Sequence, residues 1–227
     1  MSALSKRLQA VLDFCHTLHT PEMFTSLADI GTDHAYLPIA AINKNICKYA
    51  YACDVHEGPA MLAAENIRNA GLCDKIEVRL ANSLAAINTA QCIVIAGMGG
   101  MRIWEIIYSG LSKAKAAKRL VLQPQHDAML LRKSLHGAGF EIQDECMVRE
   151  VVGHKEHFYV IIAAEYRGET LPWTMQEYYL GKYLLACNND VFQAYKQHER
   201  DKINAYISNI RDDDAQRNAN KRLGWLE

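Results

Sequence analysis

The chain has no excess of either charge, no apolar run of membrane length and no cysteine pattern of a known kind. Its 227 residues carry 25 Lys and Arg against 26 Asp and Glu, a formal net charge of −1. No overall basic field advertises nucleic acid, so any such contact has to come from a local patch. No apolar stretch approaches the ~20 residues that a membrane-crossing helix needs. The opening Met-Ser-Ala-Leu-Ser-Lys-Arg is not followed by an apolar core of signal-peptide type. These two absences point to a cytoplasmic protein with no membrane partner. The seven cysteines, at 15, 47, 53, 73, 92, 146 and 187, are odd in number and form no C-x-x-C. That excludes a disulfide framework and a zinc knuckle, and predicts buried thiols. His154 and His157 stand three apart, which on a strand puts them on opposite faces, and no third ligand is evident. No metal site is expected.

The glycine signature of a dinucleotide site is missing as well. Leu27–Ile30 is a short apolar run that ends in a glycine turn and enters a helix-like segment, the layout of the first strand and loop of a Rossmann-type nucleotide site. Where G-x-G-x-x-G would stand, the chain has Gly31, Asp33 and Ala35. A carboxylate in that loop repels a pyrophosphate. It suits a cationic ligand, such as the sulfonium and amino groups of S-adenosylmethionine (SAM), and so directs attention away from NAD or ATP and toward methyl transfer.

What is present fills out a domain and an appendage. Half the residues are apolar, enough for a substantial core. Leu4, Leu8, Val11, Leu12 and Cys15 recur at helical spacing over residues 5–18. Strands are predicted at Leu27–Ile30, Lys48–Cys53, Ile76–Leu80, Cys92–Ala96 and Leu120–Leu122. Helices are predicted at Ala35–Asn45, from Gly58-Pro59 to Gly71, from Gly99-Gly100 to Tyr108, and at Ala128–Ala138. Phe140–Glu150 and Phe158–Tyr166 have no helix between them and read as an antiparallel pair. Such alternation predicts an α/β fold, a Rossmann-like methyltransferase sheet of seven mostly parallel strands with the hairpin on one edge. Composition shifts after Arg167, giving an expected first domain over 1–167 and a second over 168–227. Residues 173–222 hold one glycine and no proline, and their apolar positions recur at helical spacing with a polar gap at His198–Lys202. Two long antiparallel helices, a coiled-coil-like hairpin, fit that pattern, with Tyr178, Tyr179, Tyr183 and Tyr195 in its seam. The residues from about Asp212 are polar and expected to fray. Residues 175–227 carry eight Lys/Arg and eight Asp/Glu, so the tail is not a simple basic arm.

Three features stand where a SAM site needs them. The first is the Asp29–His34 loop, where Gly31 allows close backbone approach and Asp33 or the loop amides can hold the amino-acid end. The second is Asp54, 23 residues after Gly31, placed to accept hydrogen bonds from ribose hydroxyls. The third is Ala96-Gly97-Met98-Gly99-Gly100 after the fourth strand, because loops at the carboxyl ends of central strands line the ligand crevice.

The chain resembles the TrmK family of bacterial tRNA adenine-N1 methyltransferases, class I SAM-dependent enzymes that modify adenine 22. The residues that carry the resemblance are Asp29-Ile-Gly-Thr-Asp-His-Ala-Tyr-Leu-Pro38, Glu57-Gly58-Pro59, Asn69-Ala-Gly-Leu72, Val78-Arg-Leu80, Ile95-Ala-Gly-Met-Gly-Gly100, Leu122-Gln-Pro124, Leu131-Arg132 and Gly139-Phe140. They span roughly 5–166, and the helical tail agrees with the family's architecture. The resemblance implies that Gly31, Asp33, His34 and Leu37 bind the methionine part of SAM. It places Asp54 and Val55 where the family has a ribose-binding Glu, and Gly97 and Met98 beside the methyl donor and the incoming base. Two departures stand out. The family's Gly-Asp-Gly-Leu after the third strand is Ala81-Asn82-Ser83-Leu84 here, leaving the Asn82 amide oxygen as acceptor for the SAM adenine amino group. The usually acidic edge segment reads Arg149-Glu-Val-Val-Gly-His-Lys-Glu-His157.

For the chemistry, adenine N1 has a free lone pair at neutral pH and needs no base to become a nucleophile. The product ring is cationic until a proton leaves N6, and a carboxylate can stabilise that charge and receive the proton. Asp33 is the first candidate and Asp29 the second, with Met98 at the reacting centre. The Asn/Asp-Pro-Pro-Tyr loop of many base-N6 methyltransferases is replaced by Gly97-Met98-Gly99-Gly100, which lacks both an aromatic stacker and a side-chain amide. Substrate contacts are expected from Gly99 and Gly100, and phosphate contacts from Arg102, from the Lys113, Lys115, Lys118 and Arg119 cluster, and from Lys6, Arg7, Arg132 and Lys133. The expected partner is tRNA, the expected oligomeric state a monomer or weak dimer. A methyltransferase of the same fold on another RNA or a small molecule, and a non-catalytic SAM- or RNA-binding module, are the rival readings.

Overall fold

The structure is a computed structural model, and it describes residues 4–16, 23–81, 83–209 and 211–227. The chain divides into two compact units, Met1–Pro172 and Trp173–Glu227.

The first unit is built on one seven-stranded sheet: β1 (Phe24–Ile30), β2 (Cys47–Asp54), β3 (Ile76–Leu80), β4 (Cys92–Met98), β5 (Arg119–Pro124), β6 (Phe140–Val152) and β7 (Lys155–Tyr166). Its order is β3-β2-β1-β4-β5-β7-β6. The first five strands pair in parallel, and β7 runs antiparallel to both β5 and β6. Strands β4 and β5 carry continuous apolar runs, Cys92–Ala96 and Leu120–Leu122, because helices cover both faces, and the central residues of β1, β4 and β5 are fully buried. The covering helices are α1 (Lys6–Cys15), α2 (Tyr36–Asn43), α3 (Glu57–Asn69), α4 (Gly100–Ser109), α5 (Leu111–Ala116) and α6 (Ala128–Gly137). Ser5 caps α1, its hydroxyl accepting from the Leu8 amide at 3.2 Å. Gly71 sits at φ +68 just past the end of α3, a left-handed turn that glycine adopts without strain.

Strand order reverses between β1 and β4, so the loops leaving those strands diverge and open a crevice at the carboxyl edge. The β6–β7 hairpin overhangs that edge. Strand β7 pairs with β5 only over Ile162–Ala164, and its remaining residues run on to a two-residue turn at Gly153-His154.

The elements differ from expectation in a few places. A short helix, α5, follows α4 after the break at Gly110. Of the cysteines, 15, 47, 53 and 92 are buried, but 73 and 187 are exposed. Burial pushes the thiols of Cys47 and Cys53 up to about 12, which leaves them inert.

Among its described residues the second unit holds four helices: α7 (Met175–Leu180), α8 (Lys182–Cys187), α9 (Asp190–Ile207) and α10 (Asp213–Trp225). Thr174 and Glu177 form a reciprocal capping box at α7. The polar stretch His198–Lys202 lies inside α9 and does not break it. Asp212, from which fraying was expected, instead caps α10 by accepting from the Ala215 amide at 2.7 Å. The tyrosines pack internally, with the Tyr179 and Trp225 ring centroids 5.4 Å apart and Trp173 5.7 Å from Tyr178. Among the described residues no helix is long and apolar enough to cross a membrane, and no group of three His, Cys, Asp or Glu is placed to hold a metal.

Candidate active site

A cavity of about 240 Å³ opens at the β1/β4 crossover, lined by Arg7, Asp29, Gly31, Asp33, His34, Tyr36, Leu37, Ala96, Gly97 and Gln125 among others. It is smaller than the roughly 300–1,000 Å³ of a whole small-molecule site, so it takes one end of a nucleoside-sized ligand. Asp29, Gly31, Asp33, His34, Leu37 and Gly97 were all expected there. Arg7 was expected on the outside as a phosphate contact, and Gln125 was not singled out.

The loop after β1 is closed by its own amides. Gly31 and Thr32 both donate to the Cys53 carbonyl, at 2.8 and 2.9 Å. The Asp33 amide donates to Asp54 Oδ2 at 3.1 Å. The expectation that loop amides hold the ligand is therefore corrected, since these three amides are spent tying β1 to β2. With them goes the backbone nest that a phosphate would need. Asp54 is buried beneath the loop, its second oxygen accepting from the His56 amide at 3.0 Å. Each oxygen of Asp54 keeps one lone pair for a further donor. Val55, next along, is half exposed.

Side chains do the work that the amides do not. Asp29 reaches the cavity from the end of β1, only 5% exposed, with the Thr32 hydroxyl donating to its Oδ2 at 2.7 Å. Burial pushes its carboxyl up to about 7; the Thr32 bond opposes that rise and the nearby Asp54 charge adds to it. Asp33 stands at the rim, its side chain 67% exposed and 3.4 Å from His34 Nε2. Of the two candidate carboxylates, Asp29 is the enclosed one and Asp33 the exposed one. Arg7 enters from α1, its Nη1 donating to Gln123 Oε1 at 2.8 Å. The same oxygen accepts from the Gly97 amide at 3.1 Å, and Gln123 is fully buried. Arg7 is also tied to the hairpin, its backbone amide donating to Glu150 at 2.7 Å and its guanidinium lying 5.6 Å from the Tyr159 ring centroid.

Gly31 sits at φ +81, and a Cβ there would meet Met98 Cε at 2.2 Å, so the half-buried Met98 side chain closes over the first loop. Gly97, at φ +80, sits at the register shift between Ala96 and Met98 near the end of β4. Gly100 is buried against the β5–α6 loop, its amide donating to the His126 carbonyl at 2.9 Å, so it lies out of reach of a substrate. Ser83 is half-buried before a 3₁₀ turn at Leu84–Ala86, and Asn82 lies outside the described residues.

The expected phosphate contacts separate sharply. Arg102, in the first turn of α4, is half exposed at the carboxyl edge and pairs with Glu105 at 2.8 Å. Lys113 and Lys115 are on α5, which leads into the first residue of β5 and hence sits at the opposite edge of the sheet. Lys113 Nζ is spent on three carbonyls, those of Leu84 and Ala85 at 3.0 Å and Ile87 at 2.5 Å. Lys115 Nζ lies 4.4 Å from the Tyr166 ring centroid. Arg119 is buried and donates to the Phe14 carbonyl at 3.1 Å. Arg132 is 2% exposed and bonded through Nε to the equally buried Glu145 at 2.6 Å. These four are corrected from substrate contacts to internal ties: Arg119 and Arg132 are buried, and the half-buried Lys113 and Lys115 are engaged by neighbouring carbonyls and the Tyr166 ring.

The comparisons with known proteins agree with this geometry. Residues 27–224 match the family model TrmK, described as tRNA (adenine(22)-N(1))-methyltransferase. A Bacillus subtilis tRNA (adenine(22)-N(1))-methyltransferase is 36% identical over 149 residues, 65% of this chain, and the aligned stretch spans 60% of that protein's length. The Streptococcus pneumoniae protein Sp1610, solved in complex with S-adenosyl-L-methionine, superposes with a TM-score of 0.87 at 32% identity, over 99% of this chain and 98% of that one. M. capricolum TrmK, solved with S-adenosyl-homocysteine, gives 0.84 at 25% identity over 99% and 96%. With the model match running from β1 to α10, the chain belongs to the TrmK family.

Proposed function

We propose that this chain transfers the methyl group of SAM to N1 of an adenine in tRNA, with position 22 as the target and S-adenosylhomocysteine as the other product. The observation that carries the reading is the cavity at the crossover, which presents a buried carboxylate and a guanidinium but has its loop amides already bonded. That donor set fits a zwitterionic amino-acid end and rejects a phosphate.

In this reading Asp29 faces the ammonium of the methionine moiety and Arg7 its carboxylate, with His34 and Leu37 walling the cavity. Asp54, with Val55 beside it, serves the ribose, and Asn82 and Ser83 the adenine end. Gly31 and Gly97 keep the two loops free of side chains, and Met98 stands between them. Bound there, the cofactor supplies a methyl group made electrophilic by its sulfonium. The residues of the chain hold the adenine N1 in line and compensate charge. Asp29, enclosed, is committed to the ammonium; Asp33 at the rim is the carboxylate placed to offset the cationic product ring and to receive a proton from N6 through water. Arg102 and the edge of Gly99 face incoming tRNA. The reaction belongs to the cytoplasm, by a monomer or weak dimer.

The test is incubation of the purified chain with unmodified tRNA and labelled SAM, followed by digestion to nucleosides. Label is expected in 1-methyladenosine; its absence with every cellular tRNA would remove the proposed reaction. Arg7→Met is expected to weaken SAM binding about 10-fold or more by calorimetry, the scale of one charge-assisted hydrogen bond. Unchanged affinity would take Arg7 out of the cofactor site.

A further inference from the structure

The loop after β4 lacks an aromatic residue, yet the structure brings a ring to it from another strand. His126, in the β5–α6 loop, lies against Gly99. A Cβ on Gly99 would stand 2.5 Å from His126 Cε1 and 2.7 Å from Nε2. Gly99 has φ −63 and ψ 145, a conformation open to any residue, so a side chain there would meet the ring, which would have to move, and not backbone strain.

Three further features fix the ring. Asp127 Oδ2 is 2.7 Å from His126 Nδ1, which makes Nδ1–H the donor and leaves Nε2 for other contacts. Asp127 adopts φ +59, uncommon for a residue with a Cβ, and although it holds the N-cap position of α6 its side chain makes no capping bond. The loop is stitched to the β4–α4 turn on both sides of the ring, Gln125 N–H donating to the Met98 carbonyl at 2.8 Å and Gly100 N–H to the His126 carbonyl. For all this constraint the His126 side chain is 70% exposed. A strained neighbour, a forgone cap and a closely approached glycine hold in place a ring that adds little to the core. Such cost is characteristic of a site.

We propose that His126 is the platform on which the extruded target base of tRNA stacks, taking the place of the aromatic residue that the Gly97–Gly100 loop does not supply. This rests on the methyl-transfer reading. An unstacked purine needs an apolar face to rest on while its N1 is aligned, and the exposed ring beside Gly99 provides one at the crevice where the methyl donor is held.

The experiment compares wild type, His126→Ala, His126→Phe and Gly99→Ala for kcat/KM on tRNA and for SAM affinity. His126→Ala is expected to lower kcat/KM by about 10- to 100-fold, the range for loss of one base–aromatic stack, with the SAM Kd and Tm unchanged. His126→Phe is expected to restore activity to within a few-fold, and Gly99→Ala, which displaces the ring, to resemble His126→Ala. The proposal is overturned if His126→Ala retains wild-type kcat/KM, if His126→Phe is no better than His126→Ala, or if SAM affinity falls in parallel. A wild-type chain that forms no 1-methyladenosine overturns the reaction itself, and is seen before any variant is compared.

Discussion

Arg132→Met is expected to cost about 3–5 kcal/mol of folding stability, the range for breaking a buried ion pair from one side. Its guanidinium is the cation 2.6 Å from a Glu145 carboxylate that is fully enclosed between α6 and β6. Removing it takes from that buried carboxylate the guanidinium that offsets its charge in a low-dielectric interior. Glu145→Gln in the Arg132→Met background is expected to recover a large part of the loss, because it removes the buried charge and keeps hydrogen-bonding groups in place. Urea unfolding of the two variants measures both effects. A loss below about 1 kcal/mol for Arg132→Met, the scale of an exposed pair, would show that the two side chains do not form an internal pair. The salt dependence of tRNA binding separates this role from a phosphate contact. Loss of one phosphate contact flattens the slope of log K against log salt by close to one unit, whereas the folded variant is expected to keep the wild-type slope.

Asp29→Asn is expected to remove a pH dependence from both stability and cofactor binding. The Asp29 carboxyl is raised from 3.8 to about 7 in the folded chain, chiefly by burial. A raised carboxyl favours its protonated form in the native state. Its stabilising contribution is fully present below the unfolded value near 4 and is lost as pH rises through the folded value near 7. Between pH 5 and pH 8 the wild-type apo chain is therefore expected to lose ~3 kcal/mol that Asp29→Asn keeps. Thermal unfolding of the two proteins across that range checks the sign: the gap between them should widen as pH rises. A cationic ligand beside Asp29 selects the ionised form, so SAM binding should release a proton. SAM affinity in wild type is expected to improve roughly tenfold from pH 6 to pH 7.5 as Asp29 ionises. The variant should bind weakly and with little pH dependence over the same range. A wild-type affinity that is flat across this range would mean that Asp29 does not meet the ammonium.

The parallel sheet was legible because its signals are local. Continuous apolar runs such as Cys92–Ala96, bounded by glycine turns and alternating with helical spacing, leave few topologies. The hairpin was legible for the same reason, having no helical pattern between its arms. The tail's break was misplaced because polarity was taken for a turn: His198–Lys202 is a polar stretch within a continuous α9, its Glu199 and Arg200 bonded to Tyr179 and the Leu226 carbonyl, while Asp212 is a cap whose meaning depends on the Ala215 amide three residues on.

The site divided along the same line. Gly31, His34, Leu37 and Gly97 could be read from their place at the ends of β1 and β4, because the crossover follows from strand order. Which carboxylate is enclosed could not. Asp29 and Asp33 differ only in whether the penultimate residue of a strand or the third residue of a loop points inward, and the amide bonds to Cys53 and Asp54 decide that. Arg7 and Gln123 were hidden by separation, since the two ends of their hydrogen bond are 116 positions apart in the chain. Lys113, Lys115, Arg119 and Arg132 were misread because a charge in a sequence carries no record of burial. The sequence by itself determined the strand pattern, the absence of a phosphate-binding glycine loop and the family. Only the tertiary structure decided which charges face a ligand and which are ties within the core, because burial and hydrogen bonding join residues from strands and helices far apart in the chain.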